Sequence, residues 1–129
     1  MPADYTASGY IGGLTAETSP NFMLHNDGAE TIRIYVDGSS RLAYSHGLEA
    51  EEWHHIAATY NGNLLTLYID GKQVKTATGS WNIDEEERIM IGGRSNNASG
   101  SSAISRNNYY NDFRYYDHCL SPLEVKEIA

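Results

Sequence analysis

The stretch Trp53 to Gly71, read as WHHIAATYNGNLLTLYIDG, decides the fold. Two alternating runs flank Asn61-Gly62. An Asn-Gly pair between such runs is a strong hairpin signal, because the tight turn that matches strand twist needs positive φ at both central residues. With Asn61 and Gly62 as the loop, Tyr60 faces Asn63, Ala58 lies beside Leu65 and Ile56 beside Leu67, and this face goes to the core. The opposite face carries Trp53, His55, Ala57 and Thr59 against Leu64, Thr66, Tyr68 and Asp70, a mixed surface suited to solvent or to cover by a loop. Asp70-Gly71 predicts a second tight turn that pairs Leu67 with Val74 and keeps Val74 on the core face. Three successive antiparallel strands follow from this one segment.

Upstream, Thr31 to Val36 alternates cleanly, with Ile32, Ile34 and Val36 on one face and Arg33 and Tyr35 on the other. Asp37-Gly38-Ser39-Ser40 turns the chain into a short strand, Arg41 to Ser45, in which Leu42 and Tyr44 share a face. Asn21 to Asn26 alternates weakly, with Phe22 and Leu24 together, and Asn26-Asp27-Gly28 supplies the turn beyond it. Residues 1 to 20 are rich in Gly, Ser, Thr and Ala and read as loop with at most one short strand. Downstream of Val74 the chain loosens through Thr76 to Asn82. Asp84-Glu85-Glu86-Glu87 is a solvated acidic loop before a short strand, Arg88 to Ile91. Ser95 to Asn108 is small and polar throughout and reads as a long loop. Tyr109 to Asp117 alternates as a strand, with Phe113 and Tyr115 placed inside. Ser121-Pro122-Leu123-Glu124 has the form of a capping box, so a short terminal helix follows with Val125 and Ile128 on one side.

The whole sequence has 129 residues, the length of one domain with a single core. Ten tyrosines and twelve glycines among short alternating runs point to an all-β class, one unit the size of a β-sandwich. The net charge of −8 argues against nucleic acid and anionic membrane surfaces as partners, since both recruit Lys and Arg. No apolar run approaches the roughly 18 residues of a membrane span, so no membrane insertion is expected. Met1-Pro2-Ala3-Asp4 has neither the basic region nor the apolar core of a signal peptide. The lone Cys119 rules out an intrachain disulfide framework and is expected as a small buried filler.

Three segments in order, WHHIAATYNGNLLTLYIDGKQV, IMIGG and YYNDFRYYDHCLSPLEVKEI, resemble the laminin-G-like domains of the concanavalin A-like superfamily. The resemblance runs from about Phe22 to the C-terminus and implies a two-sheet antiparallel jelly-roll sandwich with a short C-terminal helix. It makes residues 1–129 a single domain. Members usually begin with an aromatic-rich strand before a loop like Ala3 to Tyr10. The resemblance therefore implies an N-terminally incomplete domain, either a fragment or one whose missing strand comes from a strand-donating chain or a second copy.

Catalysis in this superfamily would need carboxylates on one strand flanking a glycosidic bond, and the pattern Glu-x-Asp-x-x-Glu is absent. The expectation is therefore no catalytic residues and no enzyme, with a glycoside hydrolase as the remote alternative. The five histidines show no metal-ligand spacing. Calcium enters through the resemblance, because laminin-G-like domains often bind it at the sandwich rim with hard oxygen ligands. The candidates are Asp27, Asp70 and Asp112, each of which also has a structural role to play in a Gly turn or a strand-to-loop tie. A sugar site needs aromatic faces and planar polar groups, and Trp81, Asn96, Asn97, Tyr109, Tyr110 and Tyr116 offer those types. The expected function is a non-catalytic recognition or adhesion module of a secreted, cell-surface or virion protein, binding a glycan or a protein ligand. The alternative is a structural domain that assembles a particle or large surface protein without a small ligand.

Overall fold

The computed structural model describes residues 9–15, 20–27, 30–49, 52–83, 88–91, 93–97, 100–104 and 111–129. Strands β1 (Gly9–Thr15), β2 (Pro20–Asp27), β3 (Thr31–Val36), β4 (Ser39–Ser45) and β8 (Arg88–Ile91) form one antiparallel sheet in the order β4-β3-β2-β1-β8. Strands β5 (Ile56–Tyr60), β6 (Leu64–Ile69) and β7 (Lys72–Thr78) form the second, in the order β5-β6-β7. A separate ribbon pairs β9 (Gly93–Asn97) with β10 (Gly100–Ile104), and α1 (Pro122–Ile128) closes the chain.

The two sheets meet through the alternation read from sequence. Ile32, Ile34, Val36 and Leu42 of the larger sheet pack against Leu65, Leu67 and Ile69 of the smaller one, with Phe22, Leu24, Ile56, Ala58 and Val74 around them. Each fully buried side chain of this size contributes about 1.5–3 kcal/mol of transfer free energy. Strand β6 is covered on both faces. Its outer face carries Tyr68, which packs with Leu120 and Val125 of the helical end, flanked by Ala57 and Ile128. Two-sided cover is why Leu64 to Ile69 reads as a nearly continuous apolar run, with Thr66 also buried.

Two turns take the expected form. Asp37-Gly38 has φ of 50° and 78°, and Asp70-Gly71 has φ of 51° and 78°, the paired positive values of a tight hairpin turn. Val36 lies opposite Ser39, so β4 begins two residues earlier than the turn signal suggests.

The central hairpin departs from its expected register. Tyr60 lies opposite Leu65 and Ala58 opposite Leu67. Asn61 is the cause: its side-chain oxygen accepts from the backbone N–H groups of Asn63 at 2.9 Å and Leu64 at 2.7 Å, which lengthens the loop. The slip is two residues, so every side chain keeps its face. In β7 a register shift sets Leu67 opposite Lys75, while Val74 stays against the core. The strand runs on through Thr78, where the sequence suggested loosening.

Other expectations fail. The loop expected over Ser95 to Asn108 contains β9 and β10, built from small polar residues that carry no apolar alternation to read. The strand expected over Tyr109 to Asp117 is absent from Asn111 onward, and Phe113 and Tyr115 are 38% and 48% exposed instead of inside. Asp112 interrupts the run with φ of 56°, and the segment pairs with no sheet edge. Tyr109 and Tyr110 lie outside the described residues. Cys119 is exposed, and Leu120 takes the buried position beside it.

Among the described residues five strands therefore face three. Strand β4 packs near β7, and the Lys75 ammonium donates to the Ala43 carbonyl at 2.6 Å across that side. At the other side, among the described residues, β5 has β6 alone as a neighbour. The Asp70 N–H donates to the His55 carbonyl, so in an antiparallel ladder His55, Ala57 and Thr59 turn their backbone groups toward β6. Ile56, Ala58 and Tyr60 turn theirs outward, along a cleft.

Candidate functional site

The cleft has a volume of about 430 Å³ and lies between the inner face of β1 and β2, strand β5, and the segment Asn111 to Leu120. That is within the size range of small-ligand sites. Its interior is apolar, with Ile11, Phe22, Leu24, Ile32, Ile56 and Ala58 on the walls. Its mouth is aromatic and polar. Trp53 stands 69% exposed there, with Phe113, Tyr115 and Tyr116 also exposed and Asp112, Arg114 and His55 among them. Local conformation places these groups: Trp53 precedes β5 on the face away from the core, and the run from Asn111 to Tyr116 lies free of any ladder.

The polar groups at the mouth are tied to one another. Arg114 donates two hydrogen bonds of 2.8 Å to the two carboxylate oxygens of Asp112. That fork, with help from Tyr116, raises the Arg114 pKa and holds the Asp112 carboxyl below its ordinary value. Tyr116 meets His118 edge to face at 6.0 Å, and His118 lies 3.1 Å from the Asp117 carboxylate.

His54 and Asn26 are among the less exposed residues that line the cleft. His54 Nδ1 lies 2.9 Å from Asp70 Oδ2, and the His55 backbone N–H donates to Asp70 Oδ1 at 2.9 Å. Burial pushes the Asp70 carboxyl up, but the His54 ring, the His55 N–H and the two imidazole charges outweigh it, so the carboxyl ends below its ordinary value. The Glu52 carboxylate stands 3.7 Å from His54 Nε2, beyond hydrogen-bond length. His54 Nε2 is buried without a hydrogen-bond partner, and so are both amide atoms of Asn26, a residue only 1% exposed. His46 is also buried, with its Nδ1 accepting from the Leu48 N–H at 3.3 Å.

The candidate residues divide on this geometry. Asp112 and Tyr116 lie on the cleft wall, and Asp70 stands behind it, holding His54 in place. Trp81 lies elsewhere. Its ring packs on Tyr60 with centroids 5.6 Å apart, the Arg41 guanidinium sits 5.1 Å from its centroid, and its backbone N–H donates to the Tyr60 hydroxyl at 2.8 Å. Asn96 and Asn97 fall in β9 and Asp27 at the end of β2, with their side chains outside the description. As calcium ligands the described carboxylates do not fit together. Both oxygens of Asp70 are engaged by histidines and both of Asp112 by Arg114, and no group of three His, Cys, Asp or Glu among the described residues could hold a metal ion.

Sequence reasoning missed Trp53 and Asn26 as site residues. Both had a signal: Trp53 falls on the non-core face of the hairpin, and Asn26 is a polar residue in phase with Phe22 and Leu24. Among the described residues no helix is long and apolar enough to cross a membrane.

A search of curated proteins finds no match to this chain. A solved S-layer domain-containing protein from Clostridium thermocellum (residues 221-444) is similar in structure, with a TM-score of 0.53 at 22% sequence identity. The match covers 99% of this chain and 65% of that one, so the present chain spans less than two thirds of its structural neighbour. At this identity the likeness is one of fold. Among protein families, a laminin G family described as the concanavalin A-like lectin/glucanases superfamily matches residues 2–126. With a two-sheet antiparallel sandwich, a closing helix and a family match over nearly its whole length, the chain belongs to the laminin G branch of the concanavalin A-like lectin/glucanases superfamily.

Proposed function

We propose that this domain is a non-catalytic recognition module of an extracellular or surface protein, and that it binds glycan at the mouth of the cleft. The observation that carries this reading is the grouping of Trp53, Tyr115 and Tyr116, all exposed, around Asp112 and Arg114. Aromatic faces stack on the C–H faces of sugars, and a held carboxylate and guanidinium supply planar acceptors and donors for hydroxyls. Family membership supports a binding role, and the structural neighbour, an S-layer domain-containing protein, agrees with a surface setting.

The test is a glycan array probed with the wild-type chain, Trp53→Ala and Tyr116→Ala, each in calcium and in chelator. Trp53→Ala is expected to lower binding by at least about tenfold, since each stacked aromatic contributes on the order of 1–3 kcal/mol when desolvated. Loss of binding in chelator would show that a bound cation supports the site. Wild-type binding that survives both substitutions overturns the placement of the site.

A second reading, an assembly domain without a small ligand, draws on the outward backbone groups of β5. An unpaired strand edge can take up a strand from another chain. Silence on the array together with concentration-dependent self-association in light scattering would favour it.

A further inference from the structure

Asn26 presents a puzzle that the glycan reading alone does not resolve. Its carboxamide is buried at the cleft wall among Leu24, Ile32 and Ile56, and neither its oxygen nor its nitrogen has a hydrogen-bond partner. Buried amides are almost always paired, so an orphaned one on the wall of a cleft marks a place where a ligand group completes the bonding. His54 also lines the cleft, and its Nε2 makes no hydrogen bond, with the Glu52 carboxylate 3.7 Å away. In its neutral form the ring keeps its proton on Nδ1, facing the Asp70 carboxylate, and Nε2 then has a lone pair that can accept.

We infer that the less exposed wall of the cleft recognises the acetamido group of an N-acetylated hexosamine, with Asn26 Nδ2 donating to its carbonyl and His54 Nε2 accepting from its N–H. The inference rests on the glycan reading and names the sugar class for it. A secondary amide presents its N–H and C=O on opposite sides, so it needs two separate partners, one a donor and one an acceptor. The methyl group meets the apolar walls formed by Phe22, Leu24 and Ile56. The sugar ring stays at the aromatic mouth. A plain hexose in the same pose would strand a hydroxyl against those apolar walls and leave the two orphaned groups unmatched.

The experiment is calorimetric titration of the whole chain with methyl N-acetylglucosaminide and N-acetylgalactosaminide, against the matching glucoside and galactoside. At least one N-acetylated ligand is expected to bind about tenfold or more tightly than its plain counterpart, since a site built to hydrogen-bond a group discriminates against its absence. Asn26→Leu, which replaces an unpaired amide with an apolar side chain of similar size, is expected to abolish that preference while keeping the weak binding of the plain sugar. His54→Phe gives an independent check, reducing the same preference without touching β2. Circular dichroism melts on both variants establish that they are folded. Equal affinity for acetylated and plain sugars, or a preference that persists in folded Asn26→Leu and His54→Phe, overturns the acetamido assignment and leaves the glycan reading standing. Absence of binding to all four sugars, with array silence, overturns both.

Discussion

His46 shows how one buried side chain ties stability to pH. Burial is the largest influence and lowers its pKa, the nearby His54 lowers it further, and Glu30 pulls the other way without prevailing. The folded chain therefore holds His46 neutral, whereas the unfolded chain protonates it near its ordinary value of about 6.5. The stabilisation is complete above that value and is lost as pH falls toward the depressed folded pKa, because the unfolded state then binds more protons. Thermal melts are expected to show the midpoint dropping between pH 7.5 and pH 5.5. His46→Asn, whose side-chain oxygen can still accept from the Leu48 N–H, is expected to flatten that slope. An unchanged slope in the variant would place the proton uptake on another group. The Asp70 carboxyl, held below its ordinary value, works in the more acidic window: its stabilisation is present above about pH 4 and is lost as pH falls further.

At the scale of elements, the helix and the hairpins were the parts most openly written in the sequence. The Ser121 hydroxyl accepts from the Glu124 N–H at 3.2 Å, and the Glu124 carboxylate accepts from the Ser121 N–H at 3.0 Å, the reciprocal pair that the spacing announced. Ser121→Ala is expected to cost about 1 kcal/mol in urea unfolding. Val125 and Ile128 then cover the outer face of the sheet beside Tyr68, so weakening the cap also loosens that cover. The alternation of Ile32, Ile34 and Val36 was likewise legible, because one buried face imposes a period of two. The loop of the central hairpin was less so. An Asn side chain can either adopt positive φ or accept hydrogen bonds from the following amides, and Asn61 does the second while Asp37 and Asp70 do the first.

For the whole molecule, the unequal sheets matter most. Among the described residues, five strands face three, β5 has one paired side and one open side, and the cleft lies along that open side. Native-state hydrogen exchange gives a direct reading. The Ala57 and Thr59 amides, which point toward β6, are expected to exchange at least about tenfold more slowly than those of Ile56 and Ala58, which point to the open side. Uniform protection along β5 would mean that another strand occupies the edge in solution. A saturating sugar ligand is expected to raise the thermal midpoint by mass action without changing this alternation, because it binds beside the edge and does not pair with it.

The amino-acid sequence by itself determined the faces of the central hairpin and of Thr31 to Val36, the turn positions at Asp37-Gly38 and Asp70-Gly71 and the capped helix, because each depends on a local period or a local steric rule. Only the tertiary structure decided the register of the central hairpin, the exposure of Phe113 and Tyr115, and the meeting of Trp53, Asp112, Tyr116 and Asn26 around one cleft. Those outcomes depend on which strands find partners across the sandwich. The alternation from Tyr109 to Asp117 was real as a pattern, yet a pattern becomes a strand only where a neighbouring edge satisfies its backbone groups.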